Sequence, residues 1–252
     1  MLREHCEEAA RLLCAARGGA PVHELPLNCR PQSDTDAYEI QEAVVRQLGE
    51  TIGGWKVGAA SAASAAFCAP IWMKMIRPSP ASYDAGELRL IGIEAEIGFR
   101  LGRDLPARAA PYDRGEVSAG AVLHPVIEVV DSRYADFRSL DRLSILADNF
   151  SNGGLVYGPV VPDWEKVALG QTRITVTEDG EPFADSAGGA ARDPIAALVD
   201  FANLMNGRGW TKAGTFVTTG SWTGMVFTKR GTRIIADFGP LGRVEVAFPA
   251  EE

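Results

Sequence analysis

Between residues 88 and 102 the chain reads LRLIGIEAEIGFRLG, and no other stretch restricts its fold so tightly. Ile91, Ile93, Ala95, Ile97, Phe99 and Leu101 alternate with Gly92, Glu94, Glu96, Gly98 and Arg100. Apolar residues held on one parity over this length predict a β-strand with one face on a core. Glu94 and Glu96 then share the opposite face, roughly 6.5–7 Å apart along the backbone. In an alternating sheet such a face ordinarily meets water. Here Gly92 and Gly98 flank the acidic pair on that same face, leaving space above the sheet. Glu is also a poor strand former. The two features together point to a working face.

A second run, HPVIEVVDSR (124–133), reads as an almost wholly apolar strand with Glu128 inside it. A carboxylate buried between Ile127 and Val129 requires a partner, either an arginine or a cation. Two carboxylates 6.5 Å apart repel by roughly 2.5 kcal/mol at an effective dielectric of 20. If Glu94, Glu96 and Glu128 converge, one of them must hold a proton or the group must hold a cation. All-oxygen ligation suits Mg2+ or Mn2+, whose exchangeable water positions accept a substrate with two adjacent oxygens. Lys56, in GWKVG (54–58), either points outward or neutralises that negative charge and moves a proton. Thr218 to Ser221 read as a strand end and turn, and Asp148-Asn149 as a turn or cap.

Around these segments the chain is β-rich. Short runs at Trp55–Gly58, Arg89–Leu101, Ala121–Val130, Thr172–Thr177, Thr215–Thr219, Arg233–Phe238 and Arg243–Phe248 alternate with Gly- and Pro-rich punctuation. The absence of regular intervening helices predicts a mixed or antiparallel α+β arrangement, not a doubly wound one. An amphipathic helix is predicted over 2–17 and a second from Ser33–Asp36 to Leu48, with Asp36 and Glu39 at capping-box spacing. A late helix begins at Asp193-Pro194 and ends before Gly207. The division expected is a helical portion over 1–52 and a β-rich unit over 53–252. AASAASAAFCA (59–69) reads as a loop or a short helix.

With 252 residues, 46% hydrophobic, the chain can bury a full core. Its net charge of −8 makes it a poor candidate for nucleic acid. Cys6, Cys14, Cys29 and Cys68 show no metal or disulfide spacing, and MLREHCEEAARLL lacks the basic-then-apolar order of a signal peptide. With no apolar run long enough for a bilayer, the expected location is the cytoplasm, with no membrane contact.

Taken together, DAYEIQ (36–41), GWKVG (54–58), IEAEIGFRLGRDLP (93–106), PVIEVVDSRYADF (125–137), LADNFSNGGLVYG (146–158), TTGSWTG (218–224) and FGPLGRVEVAF (238–248) resemble the fumarylacetoacetate hydrolase superfamily. Within it, the nearer branch is that of the 2-keto-4-pentenoate hydratases and 4-oxalocrotonate decarboxylases. The resemblance spans essentially the whole chain. It implies a β-roll with a flanking helical N-terminal portion, usually a homo-oligomer. It puts the metal-binding acids at Glu94, Glu96 and Glu128, the metal being Mg2+ or Mn2+, and the active-site lysine at Lys56. Ser151, Thr219 and Ser221 fall at substrate-binding positions.

The implied activity is hydration of a 2-hydroxy-2,4-dienoate or its 2-oxo-enoate tautomer, such as 2-hydroxypenta-2,4-dienoate. Decarboxylation of a 2-oxo-enedioate and C–C hydrolysis of an acylpyruvate are alternatives, as is a catalytically weak ligand-binding member. Aromatic-compound catabolism is the setting such activities suggest. The chain departs from the branch at CAPIWMKMIRPSP (68–80), where Ile71, Trp72 and Met73 replace an acidic loop residue and its glycine. That departure predicts an apolar loop over the pocket. His23-Glu24 is a weak counterpart of the His/Glu pair used by C–C hydrolases.

Overall fold

A computed structural model describes residues 1–59, 64–187 and 193–250. Two helices come first, α1 (Arg3–Ala15) and α2 (Asp34–Leu48). Ser33 caps α2, accepting from the Asp36 amide, while the Asp36 carboxylate turns back to the Gln32 amide. Gly49 ends the helix at φ 64°, a conformation that favours glycine. The β-rich remainder runs β1 (Ile52–Gly58), β2 (Phe67–Trp72), β3 (Ile76–Pro78), β4 (Ala81–Ser82), β5 (Gly92–Leu101), α3 (Arg114–Ser118) and β6 (Ala121–Val130). It continues with α4 (Arg142–Ala147), β7 (Asn152–Tyr157), β8 (Arg173–Glu178), β9 (Glu181–Ala187), α5 (Pro194–Leu204), β10 (Phe216–Ser221), β11 (Val226–Phe227), β12 (Thr232–Asp237) and β13 (Arg243–Phe248). Asp193 caps α5 through the Ile195 amide, with Pro194 at its first position, as the sequence predicts.

The strands form two mixed sheets. The larger has the order β2-β1-β10-β5-β6-β7-β3, with β11 also on β5. The smaller has the order β4-β13-β12-β8-β9. In the larger sheet β1 pairs with β10, and β3 with β7, in parallel; the other pairings are antiparallel. The β5–β6 register sets Glu94 opposite Glu128 and Glu96 opposite Val126.

The larger sheet curls on itself. Ile71 of β2 and Leu155 of β7 come from opposite ends of the strand order, yet they pack in one cluster with Val126, Phe216, Ile76 and Tyr157. That cluster fills part of the concave face. On β5 the alternation divides as the sequence predicts, with Ile93, Ala95, Ile97, Phe99 and Leu101 on the convex face within the main core. The same core takes in Cys6, Ala9 and Leu13 of α1 and Ile40 and Val44 of α2, so helices and strands share one continuous interior.

Three expectations need correction. Residues 67–72 form strand β2, wholly buried and paired antiparallel with β1, not a loop over a pocket. Gly92 and Gly98 do not leave open space: a Cβ there would meet Val130 at 2.8 Å and Val126 at 2.6 Å, so neighbouring valines fill the room. Of the Ala/Ser-rich piece, residues 60–63 lie outside the described residues, and Phe67 to Ala69 begin β2. Among the described residues no helix is long and apolar enough to cross a membrane.

Candidate metal centre and active site

The concave face carries the chemistry. Glu94 and Glu96 of β5 and Glu128 of β6 offer carboxylate oxygens that all lie within 4.8 Å of one another. Burial rises from Glu94, partly exposed, to Glu96 at 2% and Glu128 at 0%. A solvated outer face is therefore excluded. The lysine is here as well. β1 pairs with β10 so that Lys56 stands beside Thr218, and Thr218 stands beside Gly98 of β5. Lys56 thus points into the roll, with Nζ 2.5 Å from Glu128 Oε1 and 3.9 Å from Glu94 Oε2. It also donates to the Phe150 carbonyl at 3.2 Å. Glu128 is satisfied by Lys56 and not by an arginine; the nearby Arg133 pairs with Asp148.

Each acid has its own support. Glu96 Oε2 accepts from the amides of Thr219 and Gly220 at 3.0 and 2.9 Å. The Asn152 amide group donates to Glu128 Oε1 at 3.1 Å, and the Thr218 hydroxyl to Oε2 at 3.2 Å. The strand end and turn at 218–221 is therefore a cradle for two of the three carboxylates. Thr219 spends its own hydroxyl on the Ile97 carbonyl at 2.7 Å.

Charge does not balance in this cluster. Three carboxylates face one ammonium. Burial pushes the Glu94 carboxyl up to about 7, with the Glu128 charge adding and Lys56 opposing. Burial likewise raises Glu96 well above the ordinary range, reinforced by Glu128 and Glu94. Burial works against the Lys56 charge, but the carboxylates, Glu128 first, outweigh it and raise its pKa. A divalent cation relieves this imbalance where protons otherwise must. The all-oxygen donor set fits Mg2+ or Mn2+.

A cavity of about 360 Å³ opens above the cluster. Lys56, Glu94 and Glu96 form its floor, and Thr219, Gly220 and Ser221 form one side. Phe67 and Phe150, with ring centroids 4.0 Å apart, give it an apolar wall. Arg142, at the start of α4, lines it as a second cation and pairs with Asp34. Ser151 is not on the wall; it stands one residue behind Phe150, buried, with its hydroxyl unpartnered among the described residues. His23 and Glu24 do not line the cavity, and Glu24 pairs with Arg30.

The segment that presents Phe150 is strained. Asn149, Phe150 and Ser151 have φ of 51°, 47° and 56°, three consecutive left-handed residues without a glycine. Each such residue costs roughly 1–2 kcal/mol. Buried polar bonds hold the segment in place. The Arg133 guanidinium grips the Asp148 carboxylate and donates to the Asp148 and Asn152 carbonyls at 2.7 and 2.9 Å. The Ser132 hydroxyl and Arg133 amide also donate to Asp148, at 3.0 and 2.9 Å. Strain held by a rigid surround clusters at working sites.

Sequence reasoning did not single out Phe67, Phe150, Arg142, Asn152 or Thr218. The N-x-x-N spacing of Asn149 and Asn152 gives no local signal for a bond to Glu128, and no motif in the sequence marks Arg142. The replaced segment behaves differently from expectation too. Ile71 packs in the roll with Val126, Leu155 and Phe216, while Trp72 faces the main core. Neither lines the carboxylate cavity.

No family model matches the chain. It is 30% identical over 240 residues to 4-oxalocrotonate decarboxylase of Pseudomonas putida, covering 90% of each chain. It is 28% identical over 265 residues to 2-keto-4-pentenoate hydratase of Paraburkholderia xenovorans, covering 100% of this chain and 98% of the relative. Its fold matches 4-oxalocrotonate decarboxylase from Pseudomonas putida G7, solved with magnesium and adipate, at a TM-score of 0.85 and 27% identity over 98% of both chains. Fumarylpyruvate hydrolase from Pseudomonas aeruginosa shares the fold at a TM-score of 0.55 and 16% identity, over 78% of this chain and 89% of that one. Fold and site thus define an enzyme of the fumarylacetoacetate hydrolase superfamily. Within it, the chain belongs to the family of the 4-oxalocrotonate decarboxylases and 2-keto-4-pentenoate hydratases.

Proposed function

We propose that this protein is a divalent-metal-dependent hydratase acting on 2-hydroxy-2,4-dienoates through their 2-oxo-enoate tautomers. The observation that carries the reading is the convergence of Glu94, Glu96 and Glu128 within 4.8 Å, with Lys56 buried among them. These acids are the ligands assigned to Mg2+ or Mn2+. Bound there, the ion supplies Lewis acidity to the carboxylate and neighbouring 2-oxygen of a 2-oxo acid.

The protein's own groups divide the remaining work. Lys56 Nζ holds a proton at the cavity floor and is the group placed to exchange it with the substrate chain. The amides of Thr219 and Gly220 fix Glu96, and Ser221 lines the wall at the substrate's polar end, its hydroxyl donating to the Gly224 carbonyl at 3.1 Å. Phe67 and Phe150 offer a flat apolar surface to a conjugated chain and exclude water from one side of it. The Ser151 backbone, donating to the Asp148 carbonyl at 3.0 Å and accepting from the Asp131 amide at 2.9 Å, holds the segment that presents Phe150. We assign the protein to the cytoplasm as a homo-oligomer, with exposed Leu27, Val160, Trp210 and Met225 available to a second copy.

One observation favours a second reading. Arg142 gives the cavity a cation away from the carboxylates, which suits a second substrate carboxylate. The decarboxylase that shares the fold was solved with adipate, a dicarboxylate. Decarboxylation of a 2-oxo-enedioate uses the same floor. The test is an ultraviolet assay with Mg2+ or Mn2+ on 2-hydroxypenta-2,4-dienoate. Metal-dependent loss of the dienoate band with formation of a 4-hydroxy-2-oxo acid is expected. Carbon dioxide release from a 2-oxo-enedioate, without dienoate turnover, selects the second reading, and inertness to both substrate types contradicts the proposal.

A further inference from the structure

A second cavity, about 440 Å³, lies on the convex side of β2, away from the carboxylate cluster. Its walls come from the chain just after α1, the end of α2, β3 and the turn that follows β6. Four cations line it: Arg17, Lys74, Arg77 and Arg133. Three of them are answered by carboxylates. Lys74 pairs with Glu50, Arg77 with Glu87, and Arg133 with Asp148 and, at 4.0 Å, with Asp131.

Arg17 is not answered. Its guanidinium lies over the Trp72 ring, 5.3 Å from the centroid, and no ion pair reaches it among the described residues. Its Nε is buried with no hydrogen-bond partner. Burial first, then the charge of Arg133, pushes the Arg17 pKa down to about 10, against the pull of Asp148 and Asp131. A buried donor left unmade costs roughly 1–3 kcal/mol, more where the group is charged.

We propose that this cavity is an anion site in which the Arg17 guanidinium receives a small organic carboxylate. One carboxylate group balances the one unanswered cation. Inorganic phosphate suits the site less well, because its extra charge meets Glu50, Glu87 and Asp131 on the walls. Leu48, Trp72 and Met75 give the organic part of the ligand apolar surface. The site is independent of the metal centre and of the reaction assigned to it. It does abut the strained segment, because Arg133 forms one of its walls and grips Asp148 from there.

Benzoate is the probe, since it has a flat apolar body and no neighbouring 2-oxygen with which to chelate a metal. Calorimetric titration of the full chain in a chelator should show one benzoate bound. Arg17→Gln should weaken binding by about tenfold or more, the loss of a charge-assisted pair. Glu96→Gln should leave benzoate binding unchanged, and phosphate should bind more weakly than benzoate. Leu48→Glu, which places a carboxylate on the wall itself, should abolish benzoate binding and raise the melting temperature; it serves if Arg17→Gln does not fold. Wild-type affinity in Arg17→Gln or in Leu48→Glu overturns the proposal. So does loss of binding in Glu96→Gln, which would put the benzoate at the metal centre, or tighter binding of phosphate than of benzoate.

Discussion

Lys56 brings one positive charge to three carboxylates, and that shortfall organises the site at the residue scale. Replacing it by Met tests its proposed part as proton carrier and leaves the three acids in place. Lys56→Met should cut kcat by about 10²- to 10⁴-fold, the usual range for general acid–base catalysis. Metal binding, read separately by titration, should survive. Arg142 tests the choice of substrate. Arg142→Met should raise KM for a 2-oxo-enedioate by about tenfold, the worth of a charge-assisted contact, and leave KM for a monocarboxylate dienoate unchanged. Equal effects on the two substrates would remove Arg142 from carboxylate recognition. Strand parity and apolar flanks marked Glu94, Glu96 and Glu128 as misplaced charges, whereas Lys56 was left open between facing outward and facing them, its place coming from the family resemblance alone. Arg142 and Phe150 were not legible, since a short helix and a left-handed segment leave no periodic trace.

At the scale of elements, the β5–β6 pair sets the acids, and its packing leaves no room at Gly98, where a Cβ would lie 2.6 Å from the Val126 side chain. Gly98→Ala should destabilise the fold by about 1–3 kcal/mol, the cost of overpacking a filled interior. Val126→Ala should recover much of that loss in the double variant, since the two positions touch. Denaturant melts of the four proteins measure the coupling, and simple additivity would contradict the close approach.

The longer alternating strands were readable element by element. β2, β7 and β9 escaped for physical reasons. β2 contains Pro70 and β9 contains Pro182, and proline sits in strands chiefly at sheet edges, where both of these lie. β7 opens with Asn152-Gly153-Gly154, which reads as a turn. Its glycines are instead demanded by close neighbours: a Cβ on Gly154 would lie 2.5 Å from the Tyr83 hydroxyl, and one on Gly153 2.8 Å from the Asp131 Cβ.

For the whole molecule, the curl of the larger sheet makes the centre. It brings Lys56 from β1 and Thr218 from β10 over acids that lie far away in sequence, a meeting no local pattern encodes. The same arrangement links stability to pH. Burial pushes the Glu94 carboxyl up to about 7 in the folded metal-free protein, against 4.5 ordinarily. A carboxyl with a raised folded pKa adds stability while protonated and loses it as pH climbs from about 4.5 to about 7, on the order of 3 kcal/mol at most. The metal-free protein should therefore melt at a lower temperature at pH 7.5 than at pH 5. Mg2+ should narrow that gap by giving the ionised acids a partner. The buried His124 imidazole, held below its ordinary value, pulls the other way over this range, so the comparison is made with Glu94→Gln: an identical pH dependence in that variant would show that the acids are not crowded as described.

The central claim is that Glu94, Glu96 and Glu128 together hold one divalent ion. Mn2+ titration followed by electron paramagnetic resonance, on the wild-type chain and on Glu96→Gln, reads it directly. One ion per chain is expected for the wild type, with affinity lowered by about a hundredfold or more in the variant, since a ligand is lost outright. Equal affinity and stoichiometry in the two proteins would contradict the claim.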